Sequence, residues 1–202
     1  MIEITSLKKS YGEHVIFNNF SANIKDNEFV IFSGSSGCGK STLLNILGWI
    51  EAYNSGSVTV DGFNLSKKNQ RLKYYREKVG FLFQNFALVD NKTVKQNLDM
   101  VHKEARTTLD VKDALSAVGL PDVLNQKVYT LSGGEQQRVA LARLMMKKCD
   151  IILADEPTGS LDRKNADIVT EILKKLQENG KTIIVATHDE QMKKCGDRVI
   201  VL

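Results

Sequence analysis

The 202-residue sequence predicts an α/β fold with a mainly parallel central sheet and helices on both faces. Three observations predict it. Short continuous apolar runs, EFVIFS (28–33), CDIILAD (149–155) and KTIIVATHD (181–189), have the length and composition of strands buried on both sides. Segments with apolar residues at helical spacing follow the first two runs, so strand and helix take turns along the chain. With 42% hydrophobic and 26% charged residues, a chain of this length can also bury a real core.

The elements follow in order. EFVIFS stops at a glycine, and KSTLLNILGWI (40–50) then reads as a helix, with a short glycine-rich stretch between them. Between Gln84 and Leu131 the chain is polar, with scattered apolar residues at helical intervals and no strand-like run, which predicts a separate helical lobe. In LSGGEQQRVALAR (131–143), a serine and two glycines open a helix. Its next residues, Glu135 and Gln136, are polar, and its body of Val139, Ala140, Leu141 and Leu144 is apolar. CDIILAD reads as a strand. RKNADIVTEILKKLQENG (163–180) is a helix with Ile168, Ile172, Leu173 and Leu176 on one face and Gly180 as its stop. KTIIVATHD and DRVIVL (197–202) complete the strand set, and no repeat or low-complexity tract interrupts the pattern.

Composition excludes several classes. The 28 basic and 24 acidic residues are spread evenly, and a net charge of +4 is too weak to argue for a nucleic-acid partner. No apolar run approaches the roughly 20 residues a membrane span needs, and MIEITS is no signal segment, so the reading is a soluble chain that is not exported. Cys38, Cys149 and Cys195 have neither disulfide nor zinc spacing and are expected as free thiols in a reducing cytoplasm.

FSGSSGCGKS (32–41) fits the pattern G-x-x-x-x-G-K-[ST] through Gly34, Gly39, Lys40 and Ser41, after a predicted strand and before a predicted helix. Backbone freed of side chains can turn successive N–H groups inward around an anion, and the helix adds its positive dipole end. Lys40 would then reach the β- and γ-phosphates of a nucleotide, Ser41 would hold Mg²⁺, and Thr42 would add a phosphate contact. Cys38 reads as a small space-filling residue. In IILADEP, Asp155 ends an apolar strand where a metal-holding carboxylate belongs, and Glu156 would polarise the attacking water as general base. An isolated DEP would more simply cap a strand as an acidic turn; the glycine loop reverses that preference. His188 follows a third apolar strand and could hydrogen-bond the γ-phosphate, since ligands of open parallel sheets lie at the carboxyl ends of the strands. His14 and His102 are expected at the surface. Ser132 opens a second anion-ready helix, but one nucleotide has a single γ-phosphate that the first loop already cradles. A second subunit would supply the other nucleotide.

These residues together resemble the ATP-binding cassette family, the nucleotide-binding subunits of ABC transporters, over essentially the whole chain. The resemblance assigns GSSGCGKST to the Walker A loop, which carries Gly34, Ser35, Ser36, Gly37, Cys38, Gly39, Lys40, Ser41 and Thr42 to the nucleotide. IILADE is similar to Walker B, with Asp155 on the metal and Glu156 as catalytic glutamate. LSGGEQ is similar to the signature, with Ser132, Gly133, Gly134 and Glu135 facing the partner's nucleotide. His188 matches the switch histidine, and Gln84 in GFLFQNFALV the glutamine that touches Mg²⁺ and water and reports to the membrane subunit. GSLD resembles the loop whose aspartate, here Asp162, crosses the dimer interface, and Tyr11 in KSYG matches the aromatic that stacks on adenine. Such stacking tolerates any base, so Tyr11 alone does not select adenine.

The resemblance further implies a P-loop NTPase with an N-terminal antiparallel β part and a helical subdomain. It divides one domain, 1–202, into a RecA-like core with the β part (1–84 and 146–202) and a helical subdomain carrying the signature (85–145). ATP and Mg²⁺ are the implied cofactors. A second copy of the chain and an integral membrane permease are the implied partners, with the chain peripheral on the cytoplasmic face of the cell membrane. ADEPTGSLD together with REKVGFLFQ is similar to the branch serving lipoprotein, macrolide and antimicrobial-peptide exporters, bacteriocin systems included. Two departures stand out: the stretch from Gln84 to the signature is several residues shorter than in that branch, and the sequence ends on a predicted strand, as a minimal or shortened cassette would. The alternative, a soluble cassette acting in DNA repair or translation without a membrane partner, would carry a long coiled-coil insertion or a tandem cassette, and neither is in the sequence. A P-loop kinase would leave LSGGEQ without a task, and a non-hydrolysing relative would lack one of Glu156, Gln84 and His188.

Overall fold

The computed structural model describes residues 1–202, apart from the side chain of Lys68. The chain runs β1 (Ile2–Tyr11), β2 (His14–Ile24), β3 (Phe29–Ser33), α1 (Lys40–Leu47), β4 (Ser55–Val60), β5 (Phe63–Asn64), α2 (Arg71–Glu77) and β6 (Val79–Leu82). It continues through α3 (Val94–Leu98), α4 (Val111–Ala117), α5 (Gly133–Met145), β7 (Ile151–Asp155), α6 (Arg163–Glu178), β8 (Thr182–Ala186), α7 (Glu190–Lys193) and β9 (Arg198–Val201), with three short 3₁₀ turns between.

Two sheets result. The larger has five strands in the order β6-β7-β8-β3-β9, and every neighbouring pair is parallel. The other is antiparallel, in the order β2-β1-β4-β5. The expected strands at 28–33, 149–155, 181–189 and 197–202 stand as β3, β7, β8 and β9, and the sheet is parallel as the alternation of elements predicts.

The continuous apolar runs have a simple cause. Along β3, β7 and β8, Phe29, Ile31, Ile152, Ala154, Ile183 and Val185 face one core, while Val30, Phe32, Ile151, Leu153, Ile184 and Ala186 face the other. A strand with cores on both sides cannot alternate polar with apolar residues. The first core is closed by α5, α6 and the helices between β6 and α5. In the second, Leu43, Leu44, Ile46 and Leu47 of α1 lie between the parallel sheet and the inner face of the antiparallel one, which contributes Ile2, Ile4, Leu7, Val58 and Val60. Each such side chain, fully withdrawn from water, contributes about 1.5–3 kcal/mol. The layers therefore fix α1, and with it the loop before α1, against three strand ends.

α6 buries Val169, Ile172 and Leu173, and it ends at Glu178 with Asn179 as its cap, just before the expected stop at Gly180. Residues 85–132 form short helices and isolated bridges, and none of the described residues there belongs to a sheet. His14 and His102 are exposed. All three cysteines are free; Cys149 is buried, and burial pushes its thiol up. Among the described residues no helix is long and apolar enough to cross a membrane.

Candidate functional site

β7, β8 and β3 are neighbours in the parallel sheet, so the segments leaving their carboxyl ends meet at one place. There they wall a cavity of about 560 Å³, lined by Gly34, Ser35, Ser36, Gly37 and the stretch from Gly39 to Thr42, with Gln84, Asp155, Glu156 and His188 opposite. The residues that the sequence singles out in the glycine loop and at the strand ends are thus brought together. Cys38 is half-buried, with its Sγ packed where a Cβ on Gly34 would fall, which is the space-filling role expected of it.

Gly39 caps α1 with φ +102°, and a Cβ there would come within 2.5 Å of Ile16 Cγ2 and 2.7 Å of Phe17 Cζ. Any side chain would have to carry a left-handed backbone and push the β1–β2 hairpin away. Gly39→Ala is therefore expected to cost about 1–3 kcal/mol, a fall of several degrees in Tm, and to weaken ATP binding at least about tenfold because the cradle opens. Thermal unfolding and nucleotide titration check this; parental values in both would show that the loop does not need its glycine. Lys40 folds back over the loop, its Nζ donating to the carbonyls of Gly34 (2.9 Å) and Ser35 (3.0 Å).

Asp155 and Ser41 face each other across the cavity floor. Burial pushes the Asp155 carboxyl up from its usual range, and the nearby Ser41 hydroxyl acts in the opposite direction. A partly buried carboxylate beside a hydroxyl, with the Gln84 amide in the same wall, is a hard-oxygen donor set that fits Mg²⁺.

Glu156 sits in the left-handed region at φ +43°, a strained position for a residue with a side chain. Its N–H donates to Ala186 O (2.8 Å), Thr187 Oγ1 donates to its Oε2 (2.9 Å), and its Oε1 lies 2.7 Å from His188 Nδ1. A carboxylate oxygen accepts, so Nδ1 donates and Nε2 of the exposed imidazole is left free. From the other side, Gln137 Nε2 donates to Pro157 O at 2.7 Å from a fully buried position on α5. Thr187 and Gln137 escape sequence reasoning. Thr187 is adjacent to His188, a signal that could have found it, whereas nothing in QQR marks Gln137 as inward-facing.

Tyr11 is 48% exposed, and its hydroxyl donates to Glu51. That bond is the main reason its phenol is raised from the ordinary value. Lys9 Nζ lies 4.2 Å from the centre of the Tyr11 ring and 2.7 Å from Glu51 Oε1, so one face of the ring is backed by a cation. Lys9 and Glu51 carry no motif and were not foreseen.

The second helix start lies elsewhere. Ser132 caps α5 with its hydroxyl accepting from Glu135 N at 3.4 Å, while Glu135 Oε2 accepts from Ser132 N (2.8 Å) and Oγ (2.7 Å). The Ser132 hydroxyl, then its N–H, holds the Glu135 carboxyl below the usual carboxylate range. Gly134 packs so closely on α6 that a Cβ would sit 2.6 Å from Asn165 Nδ2. Asp162 caps α6, accepting from Asn165 N at 2.9 Å, and is exposed. Ser132 and Gly133 are exposed, and none of Ser132, Gly133, Gly134, Glu135 and Asp162 lines the glycine-loop cavity of its own chain, while Gly133 borders an adjoining cavity with Gln84 and Asp155.

The family model described as ABC transporter matches residues 17–159. The chain belongs to the ABC transporter family. It is an ATP-binding cassette ATPase with the P-loop NTPase fold. Its structure superposes on the dimeric ATP-binding cassette MJ0796 of Methanocaldococcus jannaschii, in a post-hydrolysis state bound to ADP and Pi, with a TM-score of 0.87 and 36% identity, covering 100% of this chain and 94% of that one. The macrolide export ATP-binding/permease protein MacB of Campylobacter jejuni is 39% identical over 99% of this chain. The chain spans only 32% of the length of that relative. The arginine transport ATP-binding protein ArtM of Bacillus subtilis is 37% identical, covering 100% of the chain and 87% of the relative.

Proposed function

We propose that this cassette is the ATP-hydrolysing subunit of a transporter. Two copies close head to tail around two ATP molecules, and their closure and opening drive a separate membrane permease that exports a peptide, lipoprotein or antimicrobial compound. The observation that carries the reading is the position of Ser132, exposed at the start of a 13-residue helix and outside the cavity its own chain forms around the glycine loop. An exposed helix start with two glycines offers unpaired N–H groups and a positive dipole end to an anion, and the triphosphate of a second copy is such an anion. The dimeric MJ0796 structures support this arrangement.

Within each site the chain's own groups divide the work. Lys40 exchanges its two neutral carbonyl partners for the β- and γ-phosphates, which form stronger charge-assisted bonds. Ser41, Asp155 and Gln84 would hold Mg²⁺, which when bound would supply positive charge against the phosphates. Glu156, held in place by Thr187 and His188, takes the proton of the attacking water, and His188, when both its ring nitrogens carry a proton, donates from Nε2 to the γ-phosphate. The open face of Tyr11 stacks on the base. Ser132, Gly133, Gly134 and Glu135 complete the partner's site, with Asp162 at the interface. Loss of the γ-phosphate removes what those residues hold, and the dimer opens. The 85–145 lobe then moves against the core formed by 1–84 and 146–202.

MacB relatives are named as joint ATP-binding and permease proteins, which supports a permease partner and favours export; ArtM shows that identity alone does not set the cargo. An apolar groove of about 470 Å³, where Leu72, Tyr75 and Phe81 meet Met100 and Val101 of the lobe, offers that partner a docking place on the inner face of the membrane. Purification of the chain from its native membrane in mild detergents is expected to bring an integral membrane protein with it. Recovery of the chain alone in every detergent would contradict the transporter reading and favour a cassette that works without a membrane partner.

A further inference from the structure

We propose that Arg143 is the positioning residue of the Gln84 loop: its guanidinium fork clamps two strained backbone carbonyls and so fixes where the Gln84 amide stands in the site. The loop leaves β6 and turns sharply. Phe86 and Ala87, neither of them glycine, stand in succession at φ +60° and +49°. Ala87 N donates to Asn85 O at 2.7 Å, closing a three-residue turn over Phe86 of the left-handed kind that is rare because it is strained. Two adjacent left-handed residues relax unless something holds them.

Arg143 holds them. Reaching from α5, its Nη1 donates to Ala87 O at 2.6 Å and its Nη2 to Phe86 O at 3.0 Å. The planar fork suits two carbonyls side by side, a geometry one ammonium does not reproduce. Among the described residues Arg143 pairs with no carboxylate, and burial lowers its guanidinium from the ordinary value, so the two carbonyls are what the half-buried cation has in exchange for water. Phe86 also approaches Gly133, whose Cβ would lie 3.8 Å from its Cζ, so loop and signature helix are joined at both ends of α5. Because Arg143 also lines the apolar groove, one side chain touches the helix that faces the partner copy, the loop that carries Gln84 and the proposed docking surface.

The proposal rests on the reading of Gln84 given above, and a double-variant cycle separates the two. Gln84→Ala is expected to lower kcat about 10- to 100-fold. Arg143→Met, which keeps the length of the stem, is expected to lower kcat about tenfold with KM for Mg-ATP within about twofold of the parent, and Arg143→Lys to fall between. In the Gln84→Ala background, Arg143→Met is expected to do almost nothing more, because the residue acts through Gln84. Thermal unfolding confirms that each variant is folded, and Arg143→Lys takes the place of Arg143→Met in the cycle if the latter is not. Effects that multiply in the double variant, or a parental kcat in the Arg143 variant, would overturn the clamp. A parental kcat for Gln84→Ala would instead overturn the role of Gln84, and the clamp with it.

Discussion

Glu156→Gln is expected to lower kcat by about 10²- to 10⁴-fold, the span a general base contributes, while ATP still binds and a dimer accumulates. In free energy that is about 3–5 kcal/mol of barrier. The substitution keeps shape and size, so the strained backbone at φ +43° and the bond from Glu156 N to Ala186 O have no reason to change. The Thr187 hydroxyl can still donate to the amide oxygen, whereas the amide nitrogen that then faces His188 Nδ1 cannot accept a proton. Water loses its base and ATP stays intact, so the charge that bridges the two copies persists. Size-exclusion chromatography should show a monomer without nucleotide and a dimer with ATP and Mg²⁺. Turnover within a few-fold of the parent would contradict the role given to Glu156.

Lys40→Ala and Ser132→Arg should both abolish hydrolysis, by different routes. Removing Lys40 deletes charge-assisted bonds worth about 1.5–3 kcal/mol each and also frees the Gly34 and Ser35 carbonyls that its ammonium holds. Binding of ATP to the single chain should weaken about 10- to 100-fold. Ser132→Arg breaks the capping box with Glu135, at a cost of about 0.5–2 kcal/mol, and places a long cation where the partner's phosphate would sit. Because Ser132 lies outside its own chain's cavity, ATP binding to the single chain should stay within about threefold of the parent. A loss of single-chain binding as large as that of Lys40→Ala would place Ser132 in the wrong site.

Much of this was legible because physical necessity left a mark on the sequence. Strands with a core on each face must be continuously apolar, which made β3, β7 and β8 readable. A loop that is to cradle phosphate must shed side chains, which made the turn at residues 34–42 readable, and a helix start needs a serine or glycine, which made the cap at 132–134 readable. The antiparallel sheet was expected only through the family resemblance. In β1 the register shifts between Ile4 and Leu7 and again between Lys9 and Ser10, with Ser6 at φ +50°, so the alternation that would announce a strand is broken. β6 is four residues with a glycine inside, too short to stand out. Gln137, Arg143 and the Lys9–Glu51 pair act through contacts with residues far away in the chain. A polar residue turned inward by tertiary packing looks, in a sequence, like one turned outward.

Mixing two inactive variants tests the composite site most directly. Equal amounts of the Lys40→Ala and Ser132→Arg chains, if they pair at random, place half of all dimers in mixed form. Each mixed dimer has one intact site, built from the loop of the Ser132→Arg chain and the helix start of the Lys40→Ala chain. Hydrolysis by the mixture should therefore rise from the background of either variant to about a quarter of the parental rate if the two sites act independently. A mixture no faster than its two components measured apart would contradict the claim that each ATP is held between two chains.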